Sequence, residues 1–206
     1  MSTIGNMKLL AVALALAVPC LAQLPEPDRG KALGNPAAPI TIEVFSDFTC
    51  PHCKHFHDEE LPALMRDYVV KGKVYVVFRD FPLTGPGHQF SREAATYATA
   101  AARIGKYEAV ANALFANQSG SPTSWVMNGQ VWQCVASVLS PADQKRVQAL
   151  AKDPGVVAEV ERELQEGLST GVNSTPTLVV NRAGKRFPIP STVDYSLLRS
   201  FLDAPK

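Results

Sequence analysis

The sequence is short of several things. Basic and acidic residues nearly cancel, 20 against 19. No basic excess exists to neutralise phosphates, which excludes a nucleic-acid binder of the usual kind. No internal repeat and no low-complexity tract occurs, which excludes solenoids and disordered tails. After the first two dozen residues no apolar run is long enough to span a bilayer, which takes ~20 residues. Cysteine is scarce, with four in 206 residues, and so is histidine, also four. At roughly 100–200 residues per domain, the length fits one domain with an insertion.

The chain opens with Lys8 and then the apolar run Leu9 to Val18, followed by Pro19-Cys20-Leu21-Ala22. This is the layout of a secretory signal peptide over residues 1–22, cut after Ala22. The run is too short for a membrane anchor, and Pro19 before Cys20 argues against lipidation. Residues 23–36, with Pro25, Pro27 and Pro36, read as a linker. Cleavage would leave Cys50, Cys53 and Cys134. Three cysteines do not make a disulfide-stapled scaffold, so the near pair reads as chemistry. Cys134, in the apolar stretch Val131 to Ala136, reads as a buried small hydrophobe.

Three of the four histidines (His52, His55 and His57) fall around that pair, in Cys50-Pro51-His52-Cys53-Lys54-His55-Phe56-His57. Apolar Ile40, Ile42, Val44 and Phe45 precede it as a strand covered on both faces. A helix from about Cys50 to Val70 follows, with Pro62 expected to kink it. Val74 to Arg79 is a second buried strand. Between residues 85 and 168 no strand-like run occurs. Glu93 to Arg103 and Lys106 to Asn117 read as helices, and a further stretch carries Trp125 and Trp132. Ser140-Pro141 and Asp153-Pro154 open two more helices. Thr177 to Val180 is a strand, Asn181 to Lys185 a turn, and Arg186 to Ile189 a return strand that Pro188 places at an edge. Asp194 to Phe201 closes the chain as a helix. The fold class is α/β: β-α-β, an all-helical insertion (85–168), then β-β-α, with the main domain formed by 37–84 and 169–206.

A strand–CxxC–helix pattern is the setting of a redox dithiol. Cys50 at a helix start meets unpaired N–H groups and the positive end of the dipole. With His52 donating beside it, its thiolate is favoured and its pKa falls below ~8.5. Such a thiolate leaves readily, so a Cys50–Cys53 disulfide is an oxidant. Cys53, one turn on and facing inward, is the resolving thiol. A metal module is the rival reading, with Cys50, Cys53 and His57 as ligands. Only His88 remains elsewhere to complete such a set, and His55 and His57 read as exposed helix residues. Pro176, after Thr175 at the mouth of a strand, is a candidate cis proline.

Cys50-Pro51-His52-Cys53, Thr175-Pro176 and the helical insertion between them resemble the DsbA-like thiol–disulfide oxidoreductases of the thioredoxin-fold superfamily, over residues 36–206. The resemblance implies Cys50 as the attacked and attacking sulfur, Cys53 as the resolving sulfur, and Thr175-Pro176 as a cis loop that aligns extended substrate. It implies a periplasmic or otherwise extracytoplasmic monomer that oxidises reduced exported proteins. No cofactor beyond the Cys50–Cys53 disulfide and no metal are implied. A membrane quinone-linked thiol oxidase would be the reoxidant. A disulfide isomerase or reductase, serving for instance cytochrome assembly, is the alternative within the superfamily, and Thr175 occurs in both kinds. One departure stands out. The family often carries a buried acid six residues before the first cysteine, where this chain has Val44. Glu43 (if a bulge shifts the strand), Asp47 and water are the remaining candidates for relaying protons to Cys53.

Overall fold

The computed structural model describes residues 30–190 and 194–204. The expected signal peptide and residues 23–29 of the expected linker lie outside the described residues. Five strands form one sheet in the order β1-β3-β2-β4-β5. They are β1 (Ala32–Leu33), β2 (Ile40–Ser46), β3 (Val74–Asp80), β4 (Thr177–Arg182) and β5 (Lys185–Pro190). β2 and β3 run parallel, and every other neighbouring pair is antiparallel. The β-α-β and β-β-α halves therefore meet along β2 and β4, as the element order requires.

β2 is buried on both faces, and successive side chains alternate between them. Ile42 and Val44 pack with Phe56, Leu61, Leu64 and Tyr68. Phe45 points the other way, to Phe81, Val172 and Val179. The helical connection begins as α1 (Pro51–His55), passes through a π turn (Phe56–Glu60) into α2 (Leu61–Leu64), and ends in a second π turn (Met65–Val69). Pro62 supplies no N–H to the turn before it. The ladder shifts there, and the Leu61 N–H reaches back to the Phe56 carbonyl. The expected kink thus takes the form of π turns.

The insertion holds α3 (Ser91–Ala102), α4 (Tyr107–Ala116), α5 (Trp125–Asn128), α6 (Val131–Ala136), α7 (Pro141–Leu150) and α8 (Pro154–Ser169). Ser140 and Asp153 cap α7 and α8, accepting from the N–H groups of Asp143 and Gly155. The stretch around Trp125 and Trp132 is two helices, because Gly129 adopts φ 71° between them and ends α5. The return hairpin is tighter than expected. β4 and β5 join through Ala183 and Gly184, both at positive φ, a two-residue turn whose twist matches the strands. β5 is an edge strand, as Pro188 suggested. α9 (Tyr195–Asp203) closes the chain.

Residues 30–36 depart from the linker reading. β1 lies against β3, and Lys31 is 1% exposed. Its ammonium donates to Asp80 at 2.9 Å, Glu163 at 2.6 Å and Thr99 at 3.2 Å. Burial opposes the charge on Lys31, but the Asp80 and Glu163 carboxylates outweigh it and hold its pKa above the usual range. Glu159 and Glu163 therefore sit on the buried stripe of α8 beside Val156 and Val160.

Candidate active site

Cys50 is the N-cap of α1, with extended backbone (φ −79°, ψ 122°) and Pro51 at the first helical position. Proline fits there because its missing N–H has no helical partner to lose. Cys50 is 5% exposed and donates from its sulfur to the Thr175 carbonyl over 3.4 Å. The Thr175–Pro176 peptide is cis, and the loop entering β4 places the Thr175 carbonyl beside the cysteine. Residues 125 positions apart in sequence thus form one site.

The two sulfurs differ sharply. The Cys50 thiol is lowered to about 5, chiefly by a hydrogen bond from Cys53. Burial opposes this, while the N–H groups of Cys53 and His52 support it. Cys53 is 1% exposed, and burial pushes its thiol well above 9. Its bond to Cys50 and the Cys50 charge raise it further, and the Asp47 N–H and the Ser46 hydroxyl oppose the rise. Neither sulfur is in a disulfide in this structure.

Other expected residues are placed differently. His52 acts on the Cys50 sulfur through its backbone N–H, and its ring is exposed. His57 is not an exposed helix residue. It is half-buried, lies 2.8 Å from Asn112 Oδ1 and stacks on Phe115 at 4.6 Å, a structural link to α4. The trio Cys50, Cys53 and His57 is therefore not gathered as a ligand set, and among the described residues no group of three or more His, Cys, Asp or Glu could hold a metal ion. Cys134 is half-buried and donates to the Ala113 carbonyl at 3.3 Å, and burial pushes its thiol up to about 11.

Neither candidate acid has its carboxylate hydrogen-bonded to the Cys53 sulfur. β2 has no bulge, so Glu43 shares a face with Phe45 rather than Val44. Its carboxylate accepts from Arg186 at 2.6 Å, Asn181 at 2.9 Å and Arg79 at 3.3 Å. Asp47 touches Cys53 with its backbone, the N–H donating to the sulfur over 3.3 Å. Its carboxylate instead accepts from Thr49 N–H (2.6 Å), the Thr49 hydroxyl (2.7 Å), the Ser91 hydroxyl (3.1 Å) and Leu83 N–H (2.6 Å). With the Thr49 proton on Asp47, His88 Nδ1 must donate to the Thr49 oxygen, 2.6 Å away.

Gln118 completes the frame. Its amide donates to the Phe48 carbonyl at 2.6 Å and the Cys50 carbonyl at 3.1 Å. Thr49, His88, Ser91 and Gln118 are polar residues scattered over 70 positions with no common spacing. Only the cluster of His, Ser and Thr near α3 hints at them in the sequence.

The thioredoxin family model matches residues 27–204. The disulfide bond formation protein D of Bacillus subtilis is 25% identical over 154 residues, covering 72% of this chain and 66% of that protein. The chain thus spans about two thirds of that relative's length. The oxidised crystal structure of BdbD from Bacillus subtilis superposes with TM-score 0.66 at 24% identity, covering 86% of this chain and 93% of that one. A thioredoxin-like oxidoreductase from Silicibacter pomeroyi gives TM-score 0.65 at 29% identity, covering 84% and 89%.

Proposed function

Since the chain belongs to the thioredoxin family, we propose that it is an exported thiol–disulfide oxidoreductase that donates its Cys50–Cys53 disulfide to reduced proteins. A substrate thiolate attacks the Cys50 sulfur, the Cys50–Cys53 bond breaks, and Cys53 leaves as a thiolate that takes up a proton. A second substrate thiolate then attacks the substrate sulfur of the mixed disulfide. Cys50 leaves as a thiolate, and the substrate carries the new disulfide. Two electrons pass to the protein, and a membrane quinone-linked thiol oxidase removes them.

The contrast between the two sulfurs carries this reading. Cys50 is held as an anion with a pKa near 5, which makes it the better leaving group and favours the dithiol form. The name of the Bacillus subtilis relative, disulfide bond formation protein D, points to the same chemistry. The Thr175 carbonyl beside the Cys50 sulfur suits an extended substrate segment laid along the cis loop. The apolar run after Lys8 supports export. Among the described residues no helix is long and apolar enough to cross a membrane.

Thiolate absorbance against pH, combined with equilibration in glutathione buffers, tests the proposal. Cys50 should titrate near 5, and the equilibrium should lie toward the dithiol. An ordinary thiol titration would overturn it.

A further inference from the structure

Cys53 must gain a proton when it leaves Cys50 and lose one when the disulfide is remade, yet it is 1% exposed. The family's usual acid is absent, because Val44 occupies its place. Glu43 is tied to arginines on the other face of the sheet. The Asp47 carboxylate is saturated, and only its N–H meets the sulfur.

A cavity of about 370 Å³ lies between α1–α2, the β2–β3 face of the sheet, and α4. Cys53 and Ser46 both stand in its wall. So does Asp80, paired with Ser46 across the parallel strands. Glu108 and Asn112, exposed on α4, also line it, so the cavity reaches the surface. Val44, Phe56 and Phe78 make much of the remaining wall apolar. Water in such a space needs two to four polar partners, and the Ser46, Asp80 and Asn112 side chains supply them.

We propose that protons reach and leave Cys53 through this cavity, handed between its sulfur and cavity water by the Ser46 hydroxyl. The inference rests on the oxidoreductase reading. During substrate oxidation the Cys53 thiolate takes the Ser46 proton while water delivers another to the Ser46 oxygen, the net proton coming from bulk solvent. During reoxidation the S–H proton passes to the Ser46 oxygen while the Ser46 O–H releases its own to water. The Cys53 thiolate then attacks the Cys50 sulfur of the mixed disulfide, forms the Cys50–Cys53 bond and expels the partner's thiolate. In this scheme Ser46 is a catalytic residue, since its hydroxyl exchanges protons directly with the reacting Cys53 sulfur.

The test mixes the dithiol protein with oxidised glutathione. Acid quenching and mass spectrometry separate mixed-disulfide formation at Cys50 from its resolution by Cys53. Ser46→Ala should lower the ratio of the second rate to the first about a hundredfold, the low end of what a positioned proton-transfer group contributes. It should also move the resolution step's pH profile upward, and Ser46→Thr, which keeps the hydroxyl, should restore both. Ala111→Leu narrows the cavity from α4 without touching either cysteine, and should slow resolution as well. Should Ser46→Ala fail to fold, Ala111→Leu and the solvent isotope effect on wild-type resolution decide. Resolution at the wild-type rate in Ser46→Ala or in Ala111→Leu, or equal slowing by Ser46→Ala and Ser46→Thr, overturns the pathway. A first step that requires alkaline pH instead overturns the oxidoreductase reading itself.

Discussion

The Asp47 N–H donates to the Cys53 sulfur over 3.3 Å, while the carboxylate of the same residue turns away into four hydrogen bonds. One residue thus orients the Cys53 thiol with its backbone and anchors the surrounding loops with its side chain. Asp47→Asn replaces one acceptor oxygen by a donor, which must face an N–H or a hydroxyl. The variant should lose about 2 kcal/mol, the cost of a buried hydrogen bond to charge. Urea unfolding measures this, and wild-type stability would contradict it.

Stability of the dithiol form should depend on pH in a specific window. The Cys50 pKa is depressed from 9.0 to about 5 in the folded chain. Between those values the unfolded thiol holds a proton that the folded one has lost, so dithiol stability rises with pH. The gain is complete above the unfolded value and disappears as pH falls through about 5. The disulfide form lacks this group. The Tm difference between dithiol and disulfide forms should therefore widen from pH 5 upward. A difference that stays flat would count against the stabilised thiolate.

Alkylation should separate the three thiols. In mildly acidic buffer an iodoacetamide label should enter Cys50 first, because the thiolate is the nucleophile. Cys53 is buried with its thiol raised, and Cys134 is pushed to about 11. Peptide mapping reads the order, and early labelling of Cys134 would be the contrary result.

Glu43→Ala tests whether the strand carboxylate is structural. It removes the nearer carboxylate of Arg79 and of Arg186, which keep Glu163 at 3.6 Å and Glu166 at 3.7 Å. The loss should be about 1–2 kcal/mol, that of hydrogen bonds to a charged group with other acceptors still near. Resolution by Cys53 should keep its wild-type pH profile. A shifted profile would return Glu43 to the proton path.

Gly167 in α8 faces two aromatic rings. A Cβ there would lie 2.7 Å from the Phe81 ring and 3.0 Å from the Phe45 ring, both buried in the sheet-side cluster. Gly167→Ala gains about 1 kcal/mol of helix propensity. Overpacking of about 1–3 kcal/mol should exceed that gain. Denaturant melts should show net destabilisation, and a stabilised variant would refute the close approach.

Much of the architecture was legible in the sequence because it is local. The Cys-Pro-His-Cys run after a strand, Pro176 before another, and the caps at Ser140 and Asp153 each carry their signal within a few residues. What escaped is long-range and polar. Lys31 sits in a proline-rich stretch that reads as linker, and its partners Asp80, Glu159 and Glu163 lie 49 to 132 positions away. A buried charge leaves no periodic trace, so β1 reads as part of a linker. Ser46, Thr49 and Ser91 are common residue types whose roles depend on what the fold brings near them. Neighbouring side chains in β2 told which face Glu43 takes, and the regular register bore that out.

The insertion is fastened to the cysteine loop from two directions. Gln118, just past α4, holds the Phe48 and Cys50 carbonyls, and Ser91, which opens α3, holds Asp47. Any hinge that let the two lobes swing apart would first have to strip these bonds from the residues flanking the reactive sulfur. The helical lobe and the cysteine loop should therefore melt as one cooperative unit, with amide exchange at Thr49 as slow as in the centre of β2.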